Sequence, residues 1–256
     1  MGEQPKRPRL SPSRVAAVIP AAGAGIRMHG DRPKQFLELD GKPLLVHTLT
    51  VFEQSTAVGF VVLVVPEEAV DYCKKEIVDR FGLSKVRRVV PGGARRQDSV
   101  RLGVEACAGE CDILIVHDGV RPLVVSSLIE RAVDGAWEHG AVIAALPATE
   151  TIKEVDGDGV VRYTPDRGSL WRVQTPQAFR TTDLMEAHRK AVQEGWGEMS
   201  DDALLLERMG VPVRVIRGEE ENIKVTTPHD LEIARLLLSR RSAAASKGTP
   251  ESEDRA

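Results

Sequence analysis

Short apolar runs alternate along this chain with stretches of helical periodicity. The apolar runs have the length of buried strands, and the intervening segments repeat apolar residues at helical spacing. Strands that alternate with helices are typical of an α/β fold with a mainly parallel sheet flanked by helices. The predicted strands are Val15–Ile19, Phe60–Val65, Val86–Val90, Ile113–Val116 and Ala141–Leu146, and the predicted helices are Leu44–Gln54, Glu67–Phe81, Gln97–Ala108 and Ser127–His139.

The alternation breaks after Pro147. From Thr149 to Phe179 two β-type runs surround Asp156-Gly157-Asp158-Gly159 without an intervening helix, which is a strong hairpin signal. A two-stranded ribbon is marginally stable alone, so we expect residues 149–179 to form a protruding β-arm that packs on the sheet or on another subunit, with Trp171 as an aromatic anchor.

After residue 179 the alternation of helices and strands resumes, and it ends at a C-terminal tail without a clear pattern. A helix is predicted at about Thr182–Glu194, a capped helix start at Ser200, a strand at Val213–Ile216 and a last helix from Thr227-Pro228. Residues 1–14 and the tail from Ser239 are charged, small and rich in Pro and Gly, so both are predicted to be disordered. The prediction is therefore one domain over residues 15–238.

Composition and charge exclude several classes of protein. A chain of 256 residues with 42% hydrophobic residues fills a real core, and a net charge of −3 argues against a nucleic-acid binder that works through bulk charge. No apolar run reaches the roughly 18 residues of a membrane span, and the N-terminus has no signal-peptide core. The three cysteines show no disulfide framework. We expect a cytoplasmic protein that binds neither membranes nor nucleic acid.

The loop after the first strand reads PAAGAGIRMHGDRPKQF. Glycines let backbone N–H groups approach a phosphate closely, and Arg27, Arg32 and Lys34 supply nearby cations. The Rossmann fingerprint is excluded because Met28 stands where its third Gly is needed, and the ATP P-loop is excluded because no Gly-Lys-Ser/Thr occurs. The loop predicts a polyphosphate site; the alternative is that its glycines serve only a tight turn.

Three further clusters fall near predicted strand ends, where open α/β sheets bind their ligands. The turn from Pro91 to Ser99 offers backbone groups to a nucleobase, or is an ordinary strand-to-helix turn. In the run Ile115–Pro122, Asp118 is suited to orient Mg²⁺ or a ribose hydroxyl and Arg121 to face a phosphate, whereas His117 is favoured as a packed residue. Lys224 lies in an unusually apolar context for a cation. Asp201 and Asp202 are candidate metal ligands, but the favoured interpretation is that they complement the dipole of the helix that they begin.

In this order the motifs PAAGAGIRM, RPKQF, GGARRQDSV, HDGVRP, TIK, DR, TPQ and NIKVT resemble the 2-C-methyl-D-erythritol 4-phosphate cytidylyltransferase family over Val15–Leu238. The resemblance implies a Rossmann-like nucleotidyltransferase fold of the nucleotide-diphospho-sugar transferase type, and a homodimer in which each β-arm embraces the other subunit. It implies that Arg27 and Lys34 stabilise charge on the attacked phosphate and that Arg167 and Lys224 position the acceptor. By the same matching Ala21, Ala22, Gly23, Gly25, Gly93, Ser99 and Asp118 surround CTP, and Arg121, Thr151 and Thr175 contact the acceptor.

The reaction implied is transfer of a cytidylyl group from CTP to 2-C-methyl-D-erythritol 4-phosphate, with release of pyrophosphate, in non-mevalonate isoprenoid precursor synthesis. Mg²⁺ is expected to be held mainly by the CTP phosphates, with Asp118 as a protein contact. Two alternatives stay open: a cytidylyltransferase for ribitol 5-phosphate or another polyol phosphate, and a non-catalytic nucleotide-binding subunit. Base selectivity near Ala94 also stays open, since the family often has an acidic residue there.

Overall fold

A computed structural model describes residues 10–23 and 33–247 of the chain. The strands in this part are β1 (Val15–Pro20), β2 (Glu38–Leu39), β3 (Lys42–Pro43), β4 (Phe60–Val65), β5 (Val86–Pro91), β6 (Ile113–Val116), β7 (Ala141–Pro147), β8 (Glu154–Val155), β9 (Val161–Tyr163), β10 (Trp171–Arg180) and β11 (Arg214–Arg217). The helices are α1 (Leu44–Gln54), α2 (Val70–Tyr72), α3 (Arg96–Glu105), α4 (Ser126–His139), α5 (Thr181–Gln193), α6 (Ala203–Arg208) and α7 (Pro228–Lys247).

Seven strands form one sheet in the order β11-β7-β10-β6-β1-β4-β5. All neighbouring pairs are parallel except the two that β10 makes, with β6 and with β7. The central strands β1, β4 and β6 are apolar at nearly every position because helices cover both faces of the sheet. The predicted α/β class with a mainly parallel sheet is confirmed.

Two apolar layers bury the two faces of the sheet. One contains α1 and α4 and is centred on Leu49, Phe52 and Ile129, and the other contains α3 and α5 and is centred on Val100, Phe179 and Leu184. Since the parallel strands all end at the same edge, the loops after β1, β5 and β6 come together there. A ligand-binding site is therefore expected at that edge of the sheet.

The predicted arm is shorter than the sequence suggests. Within residues 149–179, only β8 and β9 form a separate two-stranded ribbon, around the predicted Asp156–Gly159 turn. The second β-type run is largely β10, which enters the main sheet between β6 and β7. The alternation of apolar and polar residues in this run resembles that of a ribbon strand. Residues 174–179 are nevertheless buried on both sides, so β10 is a core strand of the main sheet.

Other boundaries also differ from the predictions. The predicted helix Glu67–Phe81 is a succession of a 3₁₀ turn, the short α2 and a π-helix over Cys73–Asp79. Helix α7 continues through Lys247, where a disordered tail was predicted from Ser239, because Arg241 bonds the Leu123 carbonyl at 2.9 Å and the segment is rich in helix-forming alanine.

At the other end of the chain, Pro12–Arg14 form a 3₁₀ turn inside the segment predicted to be disordered. Arg14 pairs with Asp112 there, at 2.9 Å from its Nε to the carboxylate. Within the described residues, no helix is long and apolar enough to cross a membrane.

Candidate active site

A cleft of about 320 Å³ opens where β1, β5 and β6 end. Its floor is the segment Ala21–Gly23 that follows β1. Gln35 holds this segment in place, since its buried side-chain amide donates to the Ala21 carbonyl at 2.7 Å. The cleft is lined by Pro20, Ala21, Ala22, Gly23, Lys34, Gln35, Gly93, Ala94, Arg95, Arg96, Ser99, Asp118, Val120 and Lys224.

The opposite wall is the glycine turn between β5 and α3. A Cβ on Gly92 would lie 2.4 Å from the Cβ of Ala22, and one on Gly93 would lie 2.4 Å from the Cβ of Asp98. Gly92 is therefore required by the close approach of the two loops, and Gly93 by the close approach of the turn to Asp98 in α3. The Gly93 N–H donates to Ser99 Oγ at 3.1 Å, which fixes the turn against the first part of α3.

Asp118 lies at the inner end of the cleft, just past β6. Lys224 Nζ contacts its Oδ2 at 2.9 Å and Arg96 Nε contacts its Oδ1 at 3.2 Å. Arg121 Nε is 3.5 Å from Oδ2. Burial raises the pKa of the Asp118 carboxyl, but these three cations outweigh burial and hold the pKa well below its usual range. Asp118 is therefore ionised and shared among cations.

A second, smaller pocket of about 190 Å³ adjoins the cleft. It is lined by Arg96, Asp118, Arg121, Val173, Gln174, Thr175, Gln177, Ser200, Asp201 and Lys224. Arg96, Asp118 and Lys224 line both spaces. A group bound in the cleft and a group bound in the pocket thus meet at these three side chains, which we call the junction.

Buried hydrogen bonds fix the wall behind the junction. The Asp118 N–H donates to Thr175 Oγ1 at 3.1 Å, and the same hydroxyl is 3.1 Å from His117 Nδ1. Burial lowers the pKa of His117 to about 3, so the ring is neutral at physiological pH. The Asn222 side-chain amide donates to the Thr175 carbonyl at 2.7 Å, and the main-chain carbonyl of Asn222 accepts from Arg121 at 2.7 Å. His117 is a packed, hydrogen-bonded residue, as favoured from the sequence.

Most of the predicted site residues that the structure describes come together at the cleft and pocket. These are Ala21, Ala22, Gly23, Lys34, Gly93, Ser99, Asp118, Arg121, Thr175 and Lys224. Gly25 and Arg27 lie outside the described residues. Thr151 and Arg167 are exposed near the ribbon and line neither space, and Arg167 donates to the Thr149 carbonyl at 2.9 Å. Their predicted contact with an acceptor stays a prediction.

Sequence reasoning did not single out Arg96 and assigned Asp202 an incomplete role. Asp201 does accept from the Leu204 N–H at 3.1 Å, as the interpretation from the helix dipole requires. Asp202, however, is buried and pairs with Arg96 Nη1 at 2.8 Å. The pair Arg95-Arg96 at the start of a predicted helix was the sequence feature that could have pointed to Arg96. The spacing alone does not tell which of the two arginines faces the site.

A larger groove of about 630 Å³ runs between α3 and α5. Its charged side chains pair with one another, Arg101 with Glu105 at 2.6 Å and Arg189 with Glu186. The groove contains none of the predicted site residues. We therefore assign the chemistry to the smaller cleft and pocket, where several cations converge on one carboxylate.

These features define the class of protein. A mainly parallel sheet, a glycine-lined cleft at the carboxyl ends of its strands and a cationic junction with a second pocket are typical of an α/β protein that binds nucleotides or other phosphate-bearing ligands.

Comparisons with known proteins narrow the class. The family model described as 2-C-methyl-D-erythritol 4-phosphate cytidylyltransferase matches residues 15–240. A relative of that name from Syntrophus aciditrophicus is 43% identical over 227 residues, covering 89% of this chain and 97% of the relative. The corresponding protein from Pelotomaculum thermopropionicum is 45% identical over 228 residues, covering 89% and 95%.

Solved structures agree with the sequence match. The crystal structure of 2-C-methyl-D-erythritol 4-phosphate cytidylyltransferase from Thermus thermophilus is 34% identical, with a TM-score of 0.71 over 88% of this chain and 98% of that one. The 4-diphosphocytidyl-2C-methyl-D-erythritol synthase from Anaerococcus prevotii is 29% identical, with a TM-score of 0.77 over 88% and 96%. The chain belongs to the 2-C-methyl-D-erythritol 4-phosphate cytidylyltransferase family.

Proposed function

We propose that this protein transfers the cytidylyl group of CTP to 2-C-methyl-D-erythritol 4-phosphate, giving 4-diphosphocytidyl-2-C-methyl-D-erythritol and pyrophosphate. The observation that carries the proposal is the junction: a nucleotide-sized cleft and a smaller pocket share Arg96, Asp118 and Lys224. Two phosphate-bearing substrates, one in each space, would bring their phosphates together at these side chains.

In this proposal CTP occupies the cleft along the Ala21–Gly23 segment, with its triphosphate toward Lys34. The acceptor phosphate occupies the pocket beside Lys224 and Arg121. An oxygen of the 4-phosphate forms a bond to the α-phosphorus of CTP, and the bond from that phosphorus to the β-phosphate bridging oxygen breaks. The electron pair leaves with pyrophosphate.

No general base is needed for this reaction, because a phosphate monoester is already ionised at neutral pH. The junction fits that requirement. The buried imidazole behind it, His117, is neutral and bonded through both ring nitrogens, at 3.1 Å to Thr175 Oγ1 and 3.4 Å to the Arg121 carbonyl. Catalysis then rests on placing the reactants and neutralising their charge, as in other phosphoryl transfers.

We propose that Mg²⁺ arrives on the triphosphate of CTP. The described residues contain no group of three or more His, Cys, Asp or Glu side chains that would hold a metal ion. Asp118 is the carboxylate at the junction, and both its oxygens already contact cations. This donor set fits a metal bound mainly by substrate oxygens with one protein carboxylate nearby, which is common for Mg²⁺. Bound there, the metal would neutralise triphosphate charge.

We also propose a homodimer in which the ribbon reaches a second subunit. Large apolar side chains on and beside the ribbon are exposed, with Val160 61% and Tyr163 54% accessible. Exposed apolar clusters of this kind mark interaction surfaces. Such a contact would bring Arg167 and Thr151 to the partner's pocket.

The three cysteines are free thiols, as expected in the reducing cytoplasm, where we propose that the reaction takes place.

The test is pyrophosphate release from the purified full-length chain with Mg²⁺ and CTP. The expected result is turnover with 2-C-methyl-D-erythritol 4-phosphate, little with ribitol 5-phosphate, little when CTP is replaced by ATP, GTP or UTP, and none after chelation of the metal. Lys34→Ala should lower kcat by roughly 100-fold or more, whereas Lys42→Ala, an exposed lysine that does not line the cleft, should not. Turnover only with ribitol 5-phosphate would reassign the acceptor, and CTP binding without turnover would indicate a non-catalytic subunit.

A further inference from the structure

Arg96 joins two buried carboxylates that belong to different parts of the fold. It is the first residue of α3. Its Nε contacts Asp118 Oδ1 at 3.2 Å, and its Nη1 contacts Asp202 Oδ2 at 2.8 Å. The Asp118 and Asp202 side chains are only 8% and 1% exposed. One planar guanidinium thus spans from the junction to the segment before α6.

Asp202 is held firmly on its side of this bridge. The Asp202 N–H donates to Gln177 Oε1 at 3.3 Å, and Gln177 Nε2 donates to the neighbouring Asp201 at 2.8 Å. Gln97 Oε1 accepts from the Met199 N–H at 3.1 Å. The segment carrying Asp202 is therefore tied to β10 and to α3. A buried carboxylate without a partner is costly, so Asp202 fixes the position of the Arg96 guanidinium.

On the other side, Arg96 and Lys224 divide the Asp118 carboxylate between them. Arg96 takes Oδ1 and Lys224 takes Oδ2. With one oxygen held by a guanidinium that is itself immobilised, rotation of the carboxylate is restricted. Because the Lys224 ammonium contacts Oδ2 of this fixed carboxylate, its position is fixed as well. Lys224 lines both the cleft and the pocket, so its position matters to both substrates.

We propose that Arg96 is a positioning residue of the transfer reaction: anchored by Asp202, it orients Asp118 and through it holds the Lys224 ammonium at the junction. This inference rests on the proposed function. It assigns Asp202 to the same unit, as the anchor of Arg96, although Asp202 lines neither the cleft nor the pocket. Removing the bridge leaves the Ala21–Gly23 segment and the Gly92–Gly93 turn of the nucleotide cleft in place, but it lets the Lys224 ammonium move away from the reacting phosphates.

The experiment compares Arg96→Lys, Asp202→Asn and the double variant with the wild type. Lysine keeps the charge at position 96 but lacks the planar fork that spans two carboxylates. The control is Arg101→Lys, on the same helix, where the arginine pairs with Glu105 and lines neither space. For each protein we would measure kcat, the KM of each substrate, CTP binding by calorimetry, and Tm.

The expected result is a kcat lowered by about 10- to 100-fold in Arg96→Lys and in Asp202→Asn, since small misplacements of catalytic groups have effects of this size. CTP affinity should change by less than about threefold, and the double variant should be no slower than the slower single variant, because both substitutions break one unit. Arg101→Lys should keep wild-type kinetics.

Wild-type kcat in folded Arg96→Lys overturns the inference, and so do losses that multiply in the double variant. If Arg96→Lys does not fold, Asp202→Asn decides: full activity overturns the inference, and a reduced kcat with normal CTP binding and Tm supports it. If both fail to fold, the bridge is needed for folding and the inference is overturned. Failure of the proposed function is seen separately, as absence of turnover in the wild type.

Discussion

Thr175 shows how one hydroxyl holds two parts of the site together. Its Oγ1 accepts from the Asp118 N–H and contacts His117 Nδ1, both at 3.1 Å, and the residue is 4% exposed. His117 Nε2 faces the Arg121 carbonyl, so the ring donates there and accepts from the Thr175 hydroxyl. The tautomer of His117 and the direction of the hydroxyl proton follow from each other.

Replacing Thr175 with valine keeps the shape and removes the hydroxyl. Two buried groups, the Asp118 N–H and His117 Nδ1, then lose their partner, at about 1–3 kcal/mol for each unsatisfied group. We expect Thr175→Val to lower the free energy of unfolding by roughly 2 kcal/mol or more, and Thr175→Ser, which keeps the hydroxyl, to lose much less. Urea denaturation measures both. Equal stability of the two variants would show that the hydroxyl is not the partner inferred here.

His188 on α5 predicts how stability depends on pH. It is 2% exposed, and neither ring nitrogen has a hydrogen-bond partner among the residues that the structure describes. Burial lowers its pKa from about 6.5 in the unfolded chain. Below that pH the unfolded state binds a proton that the folded state does not, so His188 favours unfolding increasingly as pH falls from about 6.5 toward the folded pKa, by at most about 1.4 kcal/mol per pH unit.

His188→Leu removes this proton and both unpartnered nitrogens at similar volume. We expect the variant to gain stability relative to the wild type as pH falls from 7 to 5.5, by about 1 kcal/mol, when unfolding by urea is followed at several pH values. Other buried histidines contribute equally to both proteins and cancel in the difference. A difference that stays constant with pH would mean that the pKa of His188 is the same in the folded and unfolded states, so that burial does not lower it.

At the scale of elements, the loop after β1 and the turn after β5 form the two walls of the cleft. A methyl group on Gly92 would overlap the Ala22 side chain, at 2.4 Å, and Ser99 Oγ, at 2.8 Å. Neither contact relaxes without moving a wall of the cleft. We expect Gly92→Ala to weaken CTP binding by about tenfold or more, measured by calorimetry, since close backbone approach is what the glycine provides.

The matched control is Gly157→Ala in the β8–β9 turn, where an added Cβ meets nothing within 4 Å. This variant should bind CTP like the wild type. If Gly92→Ala binds equally well, the two walls are not held at the separation seen in the structure.

The sequence predicts best the elements whose hydrophobic pattern is compatible with a single kind of secondary structure. Val15–Ile19 and Ile113–Val116 are continuous apolar runs, and both became buried parallel strands. The run Trp171–Arg180 misled because its burial comes from strands β6 and β7, which lie far away in sequence. The same holds for residues of the site. Asp118 could be predicted because it lies two residues after the end of a strand, whereas Asp202 takes its role from a partner 106 positions away.

At the scale of the whole molecule, the proposed packing against a second subunit would explain the exposed β8–β9 ribbon. Every residue of β8 and β9 is exposed in the part of the chain that the structure describes, and a lone two-stranded ribbon is marginally stable in water. Arg167, just beyond the ribbon, lines neither the cleft nor the pocket of its own chain. Both facts are explained if the ribbon packs on a second copy and delivers Arg167 to that copy's pocket.

Hybrid dimers test this arrangement directly. In the proposed dimer, Lys34→Ala disables the cleft of its own subunit and Arg167→Ala disables the arm that serves the partner, so each variant alone should be nearly inactive. In a hybrid of the two, one site combines an intact Lys34 with an intact Arg167, and the other site has lost both. Random exchange makes half of the dimers hybrids with one working site each, so an equal mixture should recover about a quarter of wild-type activity. Subunit exchange is checked by co-purification of differently tagged chains. Exchange without recovered activity would place Arg167 in the site of its own subunit, because then every site in the mixture would carry one of the two substitutions.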